Sequence, residues 1–98
     1  MTVNYKNREE YIEGYAMGRV EGEKDANMLV TPYPHTEAGT EFYQVGFTNG
    51  YFSRYTQGLS ALLRQNPNIE TSEIIATRLE EISESMILEN NKTNESTK

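Results

Sequence analysis

The chain has 98 residues, and its nine Lys and Arg against fifteen Asp and Glu give a net charge of −6 at pH 7. A chain of this length forms one small domain with a single hydrophobic core. It contains no cysteine and one histidine, which excludes disulfides, thiolate metal sites and Fe–S clusters and disfavours a His-based metal site or a Ser-His-Asp arrangement. No P-loop or dinucleotide-binding fingerprint is present either, so we expect no metal, no cofactor and no enzymatic activity.

The chain also lacks the sequence features of a membrane or exported protein. No uninterrupted apolar run, such as residues 28–30, is longer than three residues, which is far too short to span a bilayer. The polar segment 1–10 has no signal-peptide apolar region, so we expect an intracellular protein. Seven Glu and three basic residues follow Asn66. This acidic C-terminal third disfavours non-specific binding to nucleic acid and suits contact with a basic protein surface.

Capping patterns and prolines predict an all-α protein. Asn7 followed three residues later by Glu10 is a capping-box pattern that starts a first helix. Pro32 and Pro34 then favour extended backbone in a loop. Residues 90–98 hold no apolar side chain and are predicted to form a disordered tail after a single domain of residues 1–89. The predicted helices are 8–24, 36–65 capped by Thr36-Glu37, and 72–89 capped by Thr71 or Ser72.

Glycines recur every four residues in the first two predicted helices. A glycine inside a helix costs roughly 1 kcal/mol relative to alanine, so close approach of two helix backbones is needed to offset the cost. Both segments also share the pattern aromatic-x-x-Gly-aromatic-x-x-Gly, at an offset of thirty-two residues. We therefore predict a pseudo-symmetric, antiparallel helical hairpin in which glycines face the opposing aromatic residues. These glycines are Gly14, Gly18 and Gly22 in the first helix and Gly46 and Gly50 in the second.

The third predicted helix is amphipathic and acidic. The second helix carries an additional apolar side that includes Phe52 and Leu59, and this side requires a cover. Either the third helix folds back onto it, which the turn around Pro67 favours, or the two apolar surfaces form a subunit contact in a homodimer. The apolar stripe of the third helix consists of Ile75, Leu79, Ile82 and Met86.

One stretch of the chain has a recognisable order of motifs. A Gly-Tyr-x-x-Gly-x-x-x-Gly helix over residues 14–22 is followed by Pro32-Tyr33 and then by Tyr43 ahead of a Gly-Phe-x-x-Gly segment over residues 46–50. Residues 14–51 in this way resemble the ribosome modulation factor family and its short relatives, many of which bacteriophages encode. The resemblance implies a bacterial or phage origin, location in the cytoplasm of a bacterial host, and binding to the ribosome as a dimer.

Two sets of residues are candidate contacts for a partner. Tyr33 lies between two prolines and cannot belong to a helix stripe, so it is a candidate anchor. His35 lies at the mouth of the predicted second helix, where a neutral imidazole caps a backbone N–H, and it is a further candidate contact. The acidic face of the third helix supplies Glu73, Glu80, Glu81 and Glu84. A different set would contact RNA together with exposed tyrosines: Arg8, Arg19, Lys24 and Arg54.

These features lead to one functional hypothesis and two alternatives. The leading hypothesis is a small, non-enzymatic, phage-type accessory protein that binds and blocks a host protein complex, as an anti-defence or host-takeover inhibitor. The acidic face would steer binding and the loop around Tyr33 would anchor it. The alternatives are a ribosome- or RNA-associated modulation factor and a self-associating structural module whose partner is a second copy.

Overall fold

The computed structural model describes residues 5–65 and 67–96, with side chains for 8–65 and 67–86. This part of the chain consists of three α-helices joined by short segments, which confirms the predicted all-α class. The helices are α1 (Tyr5–Asn27), α2 (Glu41–Gln65) and α3 (Ile69–Ser96). Residues 28–40, the return segment, connect α1 to α2. Among the described residues, no helix is both long and apolar enough to cross a membrane.

The two glycine helices, α1 and α2, pack directly on each other and run in the same direction. Their backbone contacts advance together along both chains: Gly14 lies against Tyr43, Gly18 against Phe47 and Gly22 against Tyr51. In an antiparallel pair, successive residues along α1 would contact residues of decreasing number on α2. The predicted close pairing and third helix are confirmed, whereas the predicted antiparallel direction is wrong.

The length of the return segment explains why a parallel arrangement is possible. The glycine contacts place the start of α2 level with about residue 9 of α1, about 27 Å back along the axis from the end of α1. Thirteen residues of mostly extended chain reach up to about 43 Å, so the return segment spans this distance easily. Proline favours the extended backbone that such a crossing needs, and the structure buries both Pro32 and Pro34 along its path.

The contact between the helices is pseudo-symmetric, as the offset of thirty-two residues predicts. Gly14 of α1 lies against the backbone of Tyr43, which is three residues before Gly46 of α2. In the same way, Gly46 lies against the backbone of Tyr11, which is three residues before Gly14. A Cβ atom at any of these glycines would collide with the opposing backbone. The helices therefore approach more closely than side chains allow, and this close backbone packing offsets the low helix propensity of glycine.

Hydroxyl groups on α2 fasten the return segment. Each hydroxyl meets a backbone group that lies outside regular secondary structure and would otherwise need water. The extended chain thus becomes a third layer on the helix pair. The bonds run from Tyr33 N to Tyr51 Oη (2.9 Å), from Tyr55 Oη to the Val30 carbonyl (2.6 Å), and from Thr48 Oγ1 to the Pro34 carbonyl (2.8 Å).

The start of α2 differs from the prediction. The helix begins at Glu41, five residues after the predicted cap Thr36, because Thr40 takes the capping role and accepts a hydrogen bond from Tyr43 N (3.4 Å). Gly39, with φ of +74°, turns the chain immediately before this cap. Thr36 instead closes a local turn by accepting from Ala38 N (3.1 Å).

The first helix is longer than predicted at both ends, since it begins at Tyr5, ahead of the predicted cap Asn7, and continues to Asn27 rather than ending at residue 22–24. Gly22 does not end the helix because it belongs to the contact with α2. The helix ends in a Schellman-type motif in which Val30 N donates to the Asp25 carbonyl (3.2 Å). The left-handed residue of this motif is Leu29, with φ of +55°. Its side chain packs on the core, which offsets the conformational cost for a non-glycine residue.

The third helix folds back onto α2. It begins at Ile69, ahead of the predicted caps, because Asn68 Oδ1 accepts a hydrogen bond from Thr71 N (2.8 Å). Ile75 and Ile82 are buried in the same core as Leu59 and Tyr55. The structure extends α3 to Ser96, past the predicted end at residue 89. The predicted disordered tail, 90–98, lies outside the residues whose side chains are described.

Candidate functional site

Three of the four glutamates predicted as an acidic face form an exposed stripe along α3. Glu73, Glu80 and Glu84 are seven and four residues apart, which places them on one side of a helix. All three are exposed, and the buried Ile75 and Ile82 lie on the opposite side. These three residues, the acidic stripe, thus point away from the core and are accessible to another molecule.

The fourth glutamate, Glu81, has a structural role instead. Its Oε1 pairs with Arg78 at 2.7 Å, and both side chains are largely covered. Arg78 Nε also donates to the Leu29 carbonyl (2.8 Å) and so ties α3 to the end of α1. The predicted assignment of Glu81 to the accessible acidic face is therefore wrong, because the residue turns toward the core boundary beside Arg78.

The residues predicted to pack or associate fall into two groups. Leu59, Ile75 and Ile82 are buried in the core, and Phe52 and Leu79 pack against it. Met86 is about half exposed and lies with Phe52 in a shallow groove between α2 and α3. The main helix-packing residues are thus buried within the chain and are not exposed for contact with a second copy.

The basic residues are not gathered into one patch. Arg8, Arg19 and Lys24 of α1 are exposed. Arg54 forms a salt bridge with Glu23 (3.1 Å) that holds α2 to α1. One of the predicted RNA contacts is therefore engaged in an internal ion pair, and Glu23 reduces the positive charge beside it.

Tyr33 and His35 lie together on the return segment. Tyr33 is 68% exposed, and its ring and that of His35 form a T-shaped contact with centroids 5.5 Å apart. Because α2 begins only at Glu41, His35 is not at the mouth of that helix, and the predicted capping role is wrong. Both side chains instead border a cleft.

This cleft lies between α1 and the return segment and has a volume of about 350 Å³. Met17, Glu21 and Asp25 form its wall on α1, at successive intervals of four residues that place them on one helix face. The remaining lining residues come from the return segment and from the aromatic side of α2: Tyr33, His35, Thr36, Ala38, Tyr43, Phe47 and Tyr51.

A buried tyrosine orients one carboxylate of the cleft. Tyr51, fully buried at its ring, donates its hydroxyl proton to Asp25 Oδ2 at 2.5 Å. Burial, followed by the hydrogen bond to Asp25, raises the pKa of Tyr51 well above its ordinary value, so the hydroxyl stays protonated and remains a donor at neutral pH. The carboxylate of Asp25 is thereby fixed at the cleft wall and its other lone pairs remain for a ligand.

Sequence reasoning missed Glu21 and Asp25. Asp25 lies beyond the predicted end of the first helix at residue 24, so the sequence does not predict that it shares a helix face with Glu21. The four-residue spacing of Met17, Glu21 and Asp25 would have indicated a shared face if the helix had been extended to Asn27. Nothing in the sequence indicates that the return segment crosses over this face.

The cleft and the stripe both present carboxylate groups at the surface. Within the described residues, no group of three or more His, Asp or Glu side chains is placed to hold a metal ion. The chain matches no family model, no curated protein and no solved structure. The resemblance to the ribosome modulation factor family therefore stays a prediction from the quoted residues.

Proposed function

We propose that the protein is a small, non-enzymatic binding protein that covers a basic surface of another protein, as a phage-encoded inhibitor of a host complex would. The observation that carries this proposal is the acidic stripe on α3. A helix that buries Ile75 and Ile82 on one side and displays three glutamates on the other is suited to present charge to a partner.

The stripe is available because no ion pair among the described residues neutralises its charges. The ion pairs of the described residues involve Glu23 and Glu81, and none involves the stripe. An unpaired row of like charges attracts a complementary surface, accelerates encounter and makes binding sensitive to salt. With a net charge of −6, the rest of the chain reinforces this attraction toward basic partners.

RNA is the second candidate partner, and it rests on a different observation. Arg8 and Arg19 are both exposed and lie on the same side of α1, three helical turns apart. Two charges would give RNA binding a weak dependence on salt, since each phosphate contact contributes roughly one to the slope of log affinity against log salt concentration. The engagement of Arg54 by Glu23 makes this surface weaker than the sequence suggests.

The test is affinity capture from bacterial lysate, with and without nuclease, followed by quantitative mass spectrometry. A stripe variant combines Glu73→Gln, Glu80→Gln and Glu84→Gln. A control variant carries Glu9→Gln, Glu13→Gln and Glu37→Gln, which remove the same charge from other exposed positions. Exposed ion pairs contribute about 0.5 kcal/mol each, so the stripe variant is expected to bind roughly tenfold more weakly.

The proposal predicts one protein complex that survives nuclease treatment, is lost with the stripe variant and is retained by the control. Ribosomal proteins that disappear with nuclease would support the RNA alternative. Recovery of the tagged chain with only further copies of itself would support the self-associating module. Equal recovery by the stripe variant would show that the stripe does not bind the partner.

A further inference from the structure

The cleft between α1 and the return segment has the composition of a receptor for one cationic side chain. Its lining includes two carboxylates, Glu21 and Asp25, and neither Lys nor Arg. The described residues offer neither carboxylate an ion-pair partner. Two adjacent like charges on a cleft wall create a negative potential that favours a cation and disfavours an anion.

The aromatic residues of the cleft favour a planar cation with an aliphatic stem. The largely exposed ring of Tyr33 is available at the rim, held in place by the contact with His35 and by the bond from its own N–H to Tyr51. Tyr43 and Phe47 supply apolar surface deeper in the cleft. A guanidinium group stacks on aromatic rings and binds carboxylates through paired N–H groups, whereas an ammonium group does neither as well.

The size and rigidity of the cleft limit what it accepts. Its volume of about 350 Å³ is at the small end of the range for ligand sites, enough for a side chain rather than a large cofactor. The wall on α1 is fixed by the glycine contact with α2, and the opposite wall is fixed by the hydrogen bonds of Tyr33 and Pro34 to α2. Such preformed walls lower the entropy cost of binding.

We infer that the cleft receives the side chain of an arginine on an exposed segment of the partner protein. Glu21 and Asp25 accept its guanidinium N–H groups, the ring of Tyr33 lies against the guanidinium plane, and Phe47 contacts the aliphatic stem. This inference rests on the proposed function, because the arginine belongs to the same basic partner surface that the acidic stripe attracts. The stripe provides long-range attraction and the cleft provides a specific contact.

The test is a titration of the ¹⁵N-labelled full chain, followed by backbone amide chemical shifts, with two capped tripeptides. One is acetyl-Gly-Arg-Gly-amide and the other has citrulline, which keeps the shape of arginine but carries no charge. The arginine peptide is expected to cause saturable shifts at Tyr33, His35 and Ala38 at millimolar concentrations. The citrulline peptide is expected to bind at least tenfold more weakly, because it cannot pair with the carboxylates.

Variants separate the cleft from general electrostatic attraction. Glu21→Gln is expected to weaken binding of the arginine peptide roughly fivefold, whereas Glu80→Gln on the stripe should leave it unchanged. Asp25→Asn retains an acceptor for the Tyr51 hydroxyl and should weaken binding of the arginine peptide to a similar degree. The amide spectrum of each variant reports directly whether the fold is retained.

Equal shifts with arginine and citrulline, shifts confined to α3, or unchanged binding by Glu21→Gln and Asp25→Asn would each overturn the inference. These outcomes are distinguishable from failure of the proposed function. If capture of the partner depends on the stripe but the arginine peptide does not bind the cleft, only the cleft inference fails. If the peptide binds the cleft but capture does not depend on the stripe, the stripe proposal fails.

Discussion

Replacing Gly18 by alanine is expected to destabilise the protein, although helix propensity alone predicts the opposite. Alanine is favoured over glycine inside a helix by roughly 1 kcal/mol. At Gly18, however, the added Cβ would lie 2.8 Å from the carbonyl carbon of Phe47 and 2.9 Å from the backbone N of Tyr51. Both are backbone atoms, which cannot rotate away as the end of a side chain can.

The size of the effect follows from the separation that the helices must undergo. Carbon atoms pack at about 3.5–4.0 Å, so α1 must move from α2 by roughly 0.7 Å or more at this point. Because the neighbouring glycines share the same contact, the shift also loosens packing at Gly14 and Gly22. Overpacking of this kind costs about 1–3 kcal/mol, and we expect a net loss of about 2 kcal/mol in the free energy of unfolding.

Urea denaturation followed by circular dichroism measures this change, and Ala16→Gly on the exposed side of α1 is the matched control. The control should lose about 1 kcal/mol through propensity alone. With a slope of about 1.5 kcal/mol per molar urea, Gly18→Ala should lower the midpoint by about 1.3 M. A Gly18→Ala protein as stable as the wild type, or more stable, would refute close backbone packing at this position.

Two further predictions concern the polar contacts that hold the return segment and α3. Burial raises the pKa of Tyr55 to about 12, above its ordinary value of 10.0, so the unfolded chain ionises first and stability should fall as the pH rises from about 10 to 12. Tyr55→Phe should reduce that fall in stability at alkaline pH. It also leaves the Val30 carbonyl without its donor, so denaturant titrations at pH 7 should show a loss of about 1 kcal/mol in the free energy of unfolding. An unchanged dependence of stability on alkaline pH would contradict the raised pKa of Tyr55. Arg78→Met removes the donor to Leu29 and leaves Glu81 unpaired, so it should destabilise the protein by about 1–2 kcal/mol and increase amide hydrogen exchange in α3. Unchanged exchange in α3 would show that Arg78 does not hold the helix, and the double variant with Glu81→Met should recover part of the loss.

The sequence allowed the class of the fold and its main contact to be predicted. Glycines at four-residue intervals next to aromatic residues have one simple physical explanation, close approach of two helix backbones, and the structure confirms it. The offset of thirty-two residues also predicted the pseudo-symmetry. The direction of the helices was not predictable from this pattern, because a symmetric glycine stripe packs in either sense. Only the fastening of the return segment, through Tyr51, Tyr55 and Thr48, selects the parallel arrangement.

The candidate site was predicted in part. The periodicity of α3 was sufficient to place Glu73, Glu80 and Glu84 opposite its apolar side. The pairing of Glu81 with Arg78 depends on the tertiary contact to Leu29, which no local pattern reveals. The cleft likewise requires the return segment to cross α1, a contact between residues distant in sequence. Charged residues near an interface are therefore predicted less well than the apolar residues that define it.

The most direct measurement of the central claim is the distance between spin labels on α1 and α2. The chain has no native cysteine, so exposed positions can be labelled in pairs: Ile12 with Val45, and Ile12 with Leu63. Parallel packing places Ile12 level with the first turn of α2, so the distance from Ile12 to Val45 should be short. Leu63 lies about 28 Å further along the helix axis, so the distance from Ile12 to Leu63 should be much longer. Nearly equal distances, or the reverse order, would contradict parallel helices and would remove both the return-segment crossing and the cleft that it forms.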